Sequence, residues 1–161
     1  MNPSVIFDMD GVIVDSNPWH QRAWKAFFEK RGIHLSDEAL KENVYGRTGL
    51  DALPRVLGGD LTREEILRHC EEIDGEYRRL FKPHIRALDG FRDFIGDLSR
   101  HCIPIAIATS APPVNVDFVL KNTDLEGLFP VIVDSTFVER GKPHPDIYLK
   151  TAQLLSAAPE H

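Results

Sequence analysis

Three short stretches of this sequence carry residues able to do chemistry together. In "VIFDMDG" an apolar run ends on two carboxylates, Asp8 and Asp10, separated only by Met9. In "IPIAIATSA" a longer apolar run ends on two hydroxyls, Thr109 and Ser110, and in "ERGKPHPD" a lysine, Lys142, stands between turn-forming residues. A carboxylate can attack phosphorus, hydroxyl and backbone N–H groups can hold phosphoryl oxygens, and an ammonium can offset their charge. Two carboxylates this close repel one another unless a cation lies with them. Oxygen ligands beside a phosphate favour Mg²⁺.

The elements that must position these groups follow from periodicity. Residues 4–10 read as a strand, with Val5, Ile6 and Phe7 β-favouring and Gly11 ending the pattern. From Pro18 the period becomes helical, with Ser16 or Asn17 as cap and Gly32 as the stop. A second helix is expected from Ser36 towards Val44, and a short one in "LDALPRVLGG" interrupted by Pro54. Thr62 with Glu65 forms a capping box that opens a long helix to about Phe81. Beyond Pro83, a helix near 90–100 leads into "IPIAIA", a run suited to a strand buried on both faces. A helix near 113–122, a strand in "PVIVDS" and a last helix from Pro145 to about Ala157 complete the pattern. Such alternation implies right-handed crossovers and a parallel sheet. The expected fold is α/β: a Rossmann-like parallel-sheet core over residues 1–15 and 84–161, with an all-helical domain, residues 16–83, inserted after the first strand. The three chemical stretches then fall at the carboxyl ends of strands, where open parallel sheets bind ligands.

Composition narrows the function. The 161 residues carry a net charge of −6, so the basic footprint of a nucleic-acid binder is missing and an anion must be met by a local cluster or a metal. No apolar run is long enough to cross a bilayer. Cys70 and Cys102 lie far apart in no metal or redox spacing, which leads us to expect free thiols in a cytoplasmic protein. The seven histidines never pair at ligand spacing on one helix, which argues against zinc.

"FDMDGVIVDS", "IAIATSA" and "GKPHPDIY" resemble, in order and spacing, the first three motifs of the haloacid dehalogenase superfamily. The helical insertion is similar to the cap of its phosphatase and β-phosphoglucomutase-like branch, and the likeness covers essentially the whole chain. The resemblance implies that Asp8 is the nucleophile, forming an aspartyl-phosphate, and that Asp10 is the general acid and base. It implies that Asp8 and the Asp10 carbonyl bind Mg²⁺, that Thr109 and neighbouring amides hold phosphoryl oxygens, and that Lys142 neutralises charge beside Asp8. Ser110 joins the phosphate-holding set. In the cap, the stretch "HQRAWKA" is similar to one in β-phosphoglucomutase, where a histidine tunes the acid–base aspartate. His20 is therefore read either that way or as a half-buried histidine packed at the cap base. Arg47 in "GRTG" is read either as a substrate contact or as a surface arginine. The mutase's cap lysine aligns with Ile73 and its substrate-loop arginine falls near Gly49, so a phosphatase acting on a small phosphorylated metabolite is the preferred reading over a phosphosugar mutase.

The same resemblance implies that the fourth strand and its acidic motif are missing; Glu160 is the last acidic residue. An incomplete Mg²⁺ site, an exposed apolar edge on the first strand and self-association through that edge are then expected. A catalytically inactive fragment is the remaining alternative.

Overall fold

The apolar run before Thr109 is the strand on which the core is assembled. In the computed structural model, which describes residues 3–157, Ile105–Ala108 forms β2 and all four of its residues are buried. Strand β1 (Val5–Phe7) pairs with one side of β2 and β3 (Val131–Val133) with the other, both parallel. The register sets Phe7 beside Ile107 and Ile107 beside Ile132, which brings the three carboxyl ends level. Among the described residues β1 has β2 as its only strand neighbour and so forms an edge. Glu160, with the rest of residues 158–161, lies outside the described part.

Parallel pairing requires crossovers, and these bring helices onto the sheet. Helix α5 (Phe91–Arg100) enters β2, α6 (Pro113–Asn122) joins β2 to β3, and α7 (Asp146–Leu154) follows β3. Ile147 of α7 packs with Ala108 and Val133, and Ile6 and Val138 close around them. Phe7 sits among Phe91, Phe94 and Phe129, with ring centroids 5.1, 6.0 and 6.1 Å away and edge-to-face geometry.

By contact the chain divides into two compact units. One runs up to Ser16 and resumes at His84; the other is Asn17–Pro83. The second unit is helical throughout: α1 (Asn17–Glu29), α2 (Asp37–Asn43), α3 (Gly49–Leu57) and α4 (Arg63–Phe81). Helices α1 and α4 pack together, burying Phe27, Phe28, Ile73, Tyr77 and Phe81. Ser36 caps α2 by accepting from Ala39 N–H at 3.2 Å. Thr62 and Glu65 form the reciprocal box that starts α4, with bonds of 3.3 and 2.8 Å. Pro54 does not interrupt its helix but lies inside α3. The bond its ring removes runs to the carbonyl of Leu50, in an exposed first turn where water can serve instead.

Glu76 is the charged tie of this unit. It accepts from Arg79 at 2.8 and 3.0 Å and from Lys30 at 3.4 Å, and its side chain is only 13% exposed. The Arg79 guanidinium, helped by Lys30, outweighs burial and holds the carboxyl at about 2 against an ordinary 4.5. A carboxyl lowered by folding adds stability above its unfolded value and loses it as pH falls through the folded one. Urea midpoints should therefore show wild type ahead of Glu76→Gln at neutral pH, with the gap closing between pH 4.5 and about 2.

Candidate functional site

Asp8 follows the last residue of β1, and its carboxylate is held at both oxygens. Oδ1 accepts from the Met9 N–H at 2.8 Å, and Oδ2 accepts from Lys142 Nζ at 2.7 Å. Lys142 also donates to the Ala108 carbonyl, at the end of β2, at 3.3 Å. One ammonium thus ties the ends of two adjacent strands. The Asp8 and Lys142 side chains remain 35% and 25% exposed, open enough to meet a ligand. Burial by itself lowers the Lys142 ammonium, but the Asp8 carboxylate and the Tyr148 side chain outweigh it and hold it above its ordinary 10.5. A lysine raised by folding keeps its contribution at all lower pH values and loses it only as pH rises past that range.

Asp10 is placed by a tight loop. The Met9 carbonyl accepts from the N–H groups of Val12, Ile13 and Val14, and Gly11 adopts a φ of 78° that a side chain disfavours. Met9, Ile13 and Val14 are fully buried, and Leu88 N–H donates to the Ile13 carbonyl at 2.9 Å, which anchors the loop. The buried Ser16 hydroxyl donates to Asp10 Oδ1 at 2.6 Å.

Thr109 is fully buried at the end of β2. Its N–H donates to the Val133 carbonyl at 2.9 Å, and its hydroxyl accepts from Ala111 N–H at 3.1 Å. This arrangement turns the chain sharply from strand to α6 and leaves Ser110 exposed at the corner. After β3, Asp134 accepts from the N–H and hydroxyl of Thr136 at 2.8 and 2.6 Å, starting a 3-10 turn at Ser135–Phe137. Arg140 then clasps Asp146 through bonds of 2.9 and 3.1 Å. The segment carrying Lys142 is thereby pinned on both sides.

The structure therefore brings Asp8, Lys142 and the end of the Thr109 strand to one rim. His20 and Arg47 belong to the helical unit. The His20 ring stacks on the buried Tyr77 ring at 3.8 Å and 6°. The Arg47 guanidinium donates to the Glu42 carbonyl at 3.2 Å and to Asp51 at 3.2 Å. Sequence reasoning missed two contributors. Ser16 closes the "FDMDGVIVDS" string and Tyr148 closes "GKPHPDIY", so each stood within a motif already singled out. Only their contacts distinguish them.

Among the described residues no group of three or more His, Cys, Asp and Glu side chains gathers as a metal cage. Asp8 and Asp10 offer oxygen donors, and Mg²⁺ accepts one or two carboxylates when phosphate and water complete its shell. The site fits that ion in this minimal form.

Comparisons with known proteins bear on the family and the fold. A family model described as haloacid dehalogenase-like hydrolase matches residues 4–161. A phosphorylated carbohydrates phosphatase of Thermotoga maritima is 29% identical over 98% of this chain and 72% of its own length. A β-phosphoglucomutase of Bacillus subtilis is 32% identical over 97% of this chain and 71% of its own. The crystal structure of a family IA, variant 3 hydrolase from Entamoeba histolytica superposes with a TM-score of 0.88 at 32% identity, covering 96% of this chain and 71% of that one.

Thr109→Val keeps the shape of the side chain but leaves the buried Ala111 N–H without its acceptor. Chemical denaturation should show a loss of about 1–3 kcal/mol.

Proposed function

Because this chain belongs to the haloacid dehalogenase-like hydrolase family, we propose that it is a phosphatase acting on a small phosphorylated carbohydrate or related metabolite. The observation that carries this reading is the Lys142 ammonium, 2.7 Å from Asp8 and hydrogen-bonded to the strand that ends in Thr109. A carboxylate backed by a cation, beside a hydroxyl at a strand end, suits attack on a phosphate monoester.

In this reading an Asp8 carboxylate oxygen attacks phosphorus as the ester P–O bond breaks, and Asp10 gives its proton to the leaving alcohol. Asp10 then takes a proton from water, which attacks the aspartyl-phosphate; inorganic phosphate leaves and the Asp8 carboxylate returns. Ser16 holds Asp10 in place by donating to Oδ1. Thr109, Ser110 and neighbouring amides hold phosphoryl oxygens, and Lys142 offsets charge beside Asp8. A Mg²⁺ ion held by the Asp8 side chain and the Asp10 carbonyl supplies further charge neutralisation when bound. Arg47 and His20 are assigned to the substrate side from the cap.

The likeness to a β-phosphoglucomutase supports a second reading, a phosphosugar mutase. Two observations favour the phosphatase. Ile73, aligned with the mutase's cap lysine, is a buried core residue of α4. At Gly49, where the mutase's substrate arginine falls, a Cβ would lie 2.2 Å from Cys70 Sγ, so no larger side chain fits unless Cys70 moves.

With Mg²⁺ the chain should release phosphate from p-nitrophenyl phosphate and from a panel of carbohydrate phosphates. Chelation should stop the reaction, Asp8→Asn should abolish it, and Asp10→Asn should slow it at least about 100-fold. Turnover indifferent to Asp8→Asn, or none at all, refutes the proposal. Conversion of glucose 1-phosphate to its 6-phosphate with a bisphosphate primer would select the mutase instead.

A further inference from the structure

Tyr148 stands in the first turn of α7 and is 39% exposed. Its neighbour Ile147 fills the core, and Leu149 faces outward. Core packing therefore does not explain an aromatic ring at this position. The contact that does is with Lys142, whose Nζ lies 5.1 Å from the ring centroid, within cation–π range. The same ammonium has two oxygen partners, Asp8 Oδ2 and the Ala108 carbonyl. Arg140 and Asp146 fasten the segment leading into α7, so the ring and the lysine backbone are held in one frame.

These three partners behave differently during the reaction proposed above, and the inference rests on that reading. When the Asp8 carboxylate becomes an acyl phosphate, the negative charge beside Lys142 passes from the carboxylate to the phosphoryl oxygens, and the ammonium must change acceptors. The Ala108 carbonyl at 3.3 Å is a neutral and distant acceptor. A lysine side chain has a large rotamer freedom to lose in settling on new partners. The Tyr148 ring and the Ala108 carbonyl are the contacts that stay in place through that change. We propose that Tyr148 is a positioning residue, holding the Lys142 ammonium at the phosphoryl site through its ring face while Asp8 passes through its phosphorylated form. Phenylalanine keeps the ring face and should do the same work, whereas leucine should not. The Tyr148 side chain also hydrogen-bonds the ammonium and, after Asp8, raises its affinity for its proton, so the phenylalanine variant separates ring from hydroxyl.

The test compares Tyr148→Phe with Tyr148→Leu, each in the wild-type and the Asp8→Asn background, after unchanged thermal midpoints have shown that all fold. In NMR spectra the ring current of Tyr148 should move the Lys142 ε-methylene protons upfield of the other lysines. That shift should survive Asp8→Asn, survive Tyr148→Phe in both backgrounds, and vanish with Tyr148→Leu. In turnover of p-nitrophenyl phosphate with Mg²⁺, Tyr148→Leu should lower kcat about tenfold with little change in KM, and Tyr148→Phe should stay within about twofold of wild type. Loss of the upfield shift in Asp8→Asn alone, or equal kcat losses in the phenylalanine and leucine variants, would overturn the inference. Absence of any phosphate release defeats the reading of the reaction instead, and the NMR comparison then still decides whether ring or carboxylate holds the ammonium.

Discussion

A carboxylate at the end of a buried strand is tolerated only if something answers its charge, and here the answer comes from a lysine 134 positions away in the chain. The Lys142–Asp8 contact needs β1 and β2 level with one another, since the ammonium also reaches the Ala108 carbonyl. It needs β3 and the Asp134–Thr136 turn to start the returning segment, and the Arg140–Asp146 clasp to hold its far side. The pair is too exposed to contribute much to stability. Its worth lies in keeping one positive charge fixed beside the Asp8 carboxylate in a chain whose net charge is −6. That charge persists over the whole neutral range, because it is held above 10.5.

The helical unit is organised on other terms. Aromatic stacking dominates it, between α1 and α4 where Trp19 meets Phe81 at 5.7 Å and within α1 where Trp24 meets Phe28 at 5.8 Å. His20 joins this stack through Tyr77, so its ring plane is fixed by packing whatever its nitrogens meet. Arg47 is held back towards α2 and α3 by Glu42 and Asp51. The close approach of Cys70 to Gly49 has a chemical side too: burial pushes that thiol up to about 11, which makes it a poor nucleophile, whereas Cys102 is exposed.

Much of the fold was legible because its signals are local. "IAIA" declares a buried strand by hydrophobicity, and Thr62 with Glu65 declares a helix start through two hydrogen bonds three residues apart. The break expected at Pro54 misread a local rule that context overrode, because the missing bond there falls at an exposed turn. Ser16 stands directly before α1, and its hydroxyl also donates to Asp10, a contact that no local rule reveals. The sheet's alignment at Asp8, Thr109 and Lys142 followed from motif order. The Tyr148 contact did not, because an aromatic near a helix start reads as core until the angle of its ring is known. Among the described residues no helix is long and apolar enough to cross a membrane, in keeping with the hydropathy of the sequence.

The interruption of the core by the helical unit has a consequence for how the chain emerges from a ribosome. Residues 17–83 form a compact unit of their own, so that unit can condense once Pro83 is clear, using short-range contacts that form quickly. Strand β1, made first, has no such option. Val5 must wait for Ile105, and Asp8 for Lys142, so the rim that joins them forms only after the helical unit. During that wait "VIF" is an unpaired apolar segment tethered to an already ordered body. Nascent-chain vulnerability is thus concentrated at β1, and it lasts as long as translation takes to reach the second strand.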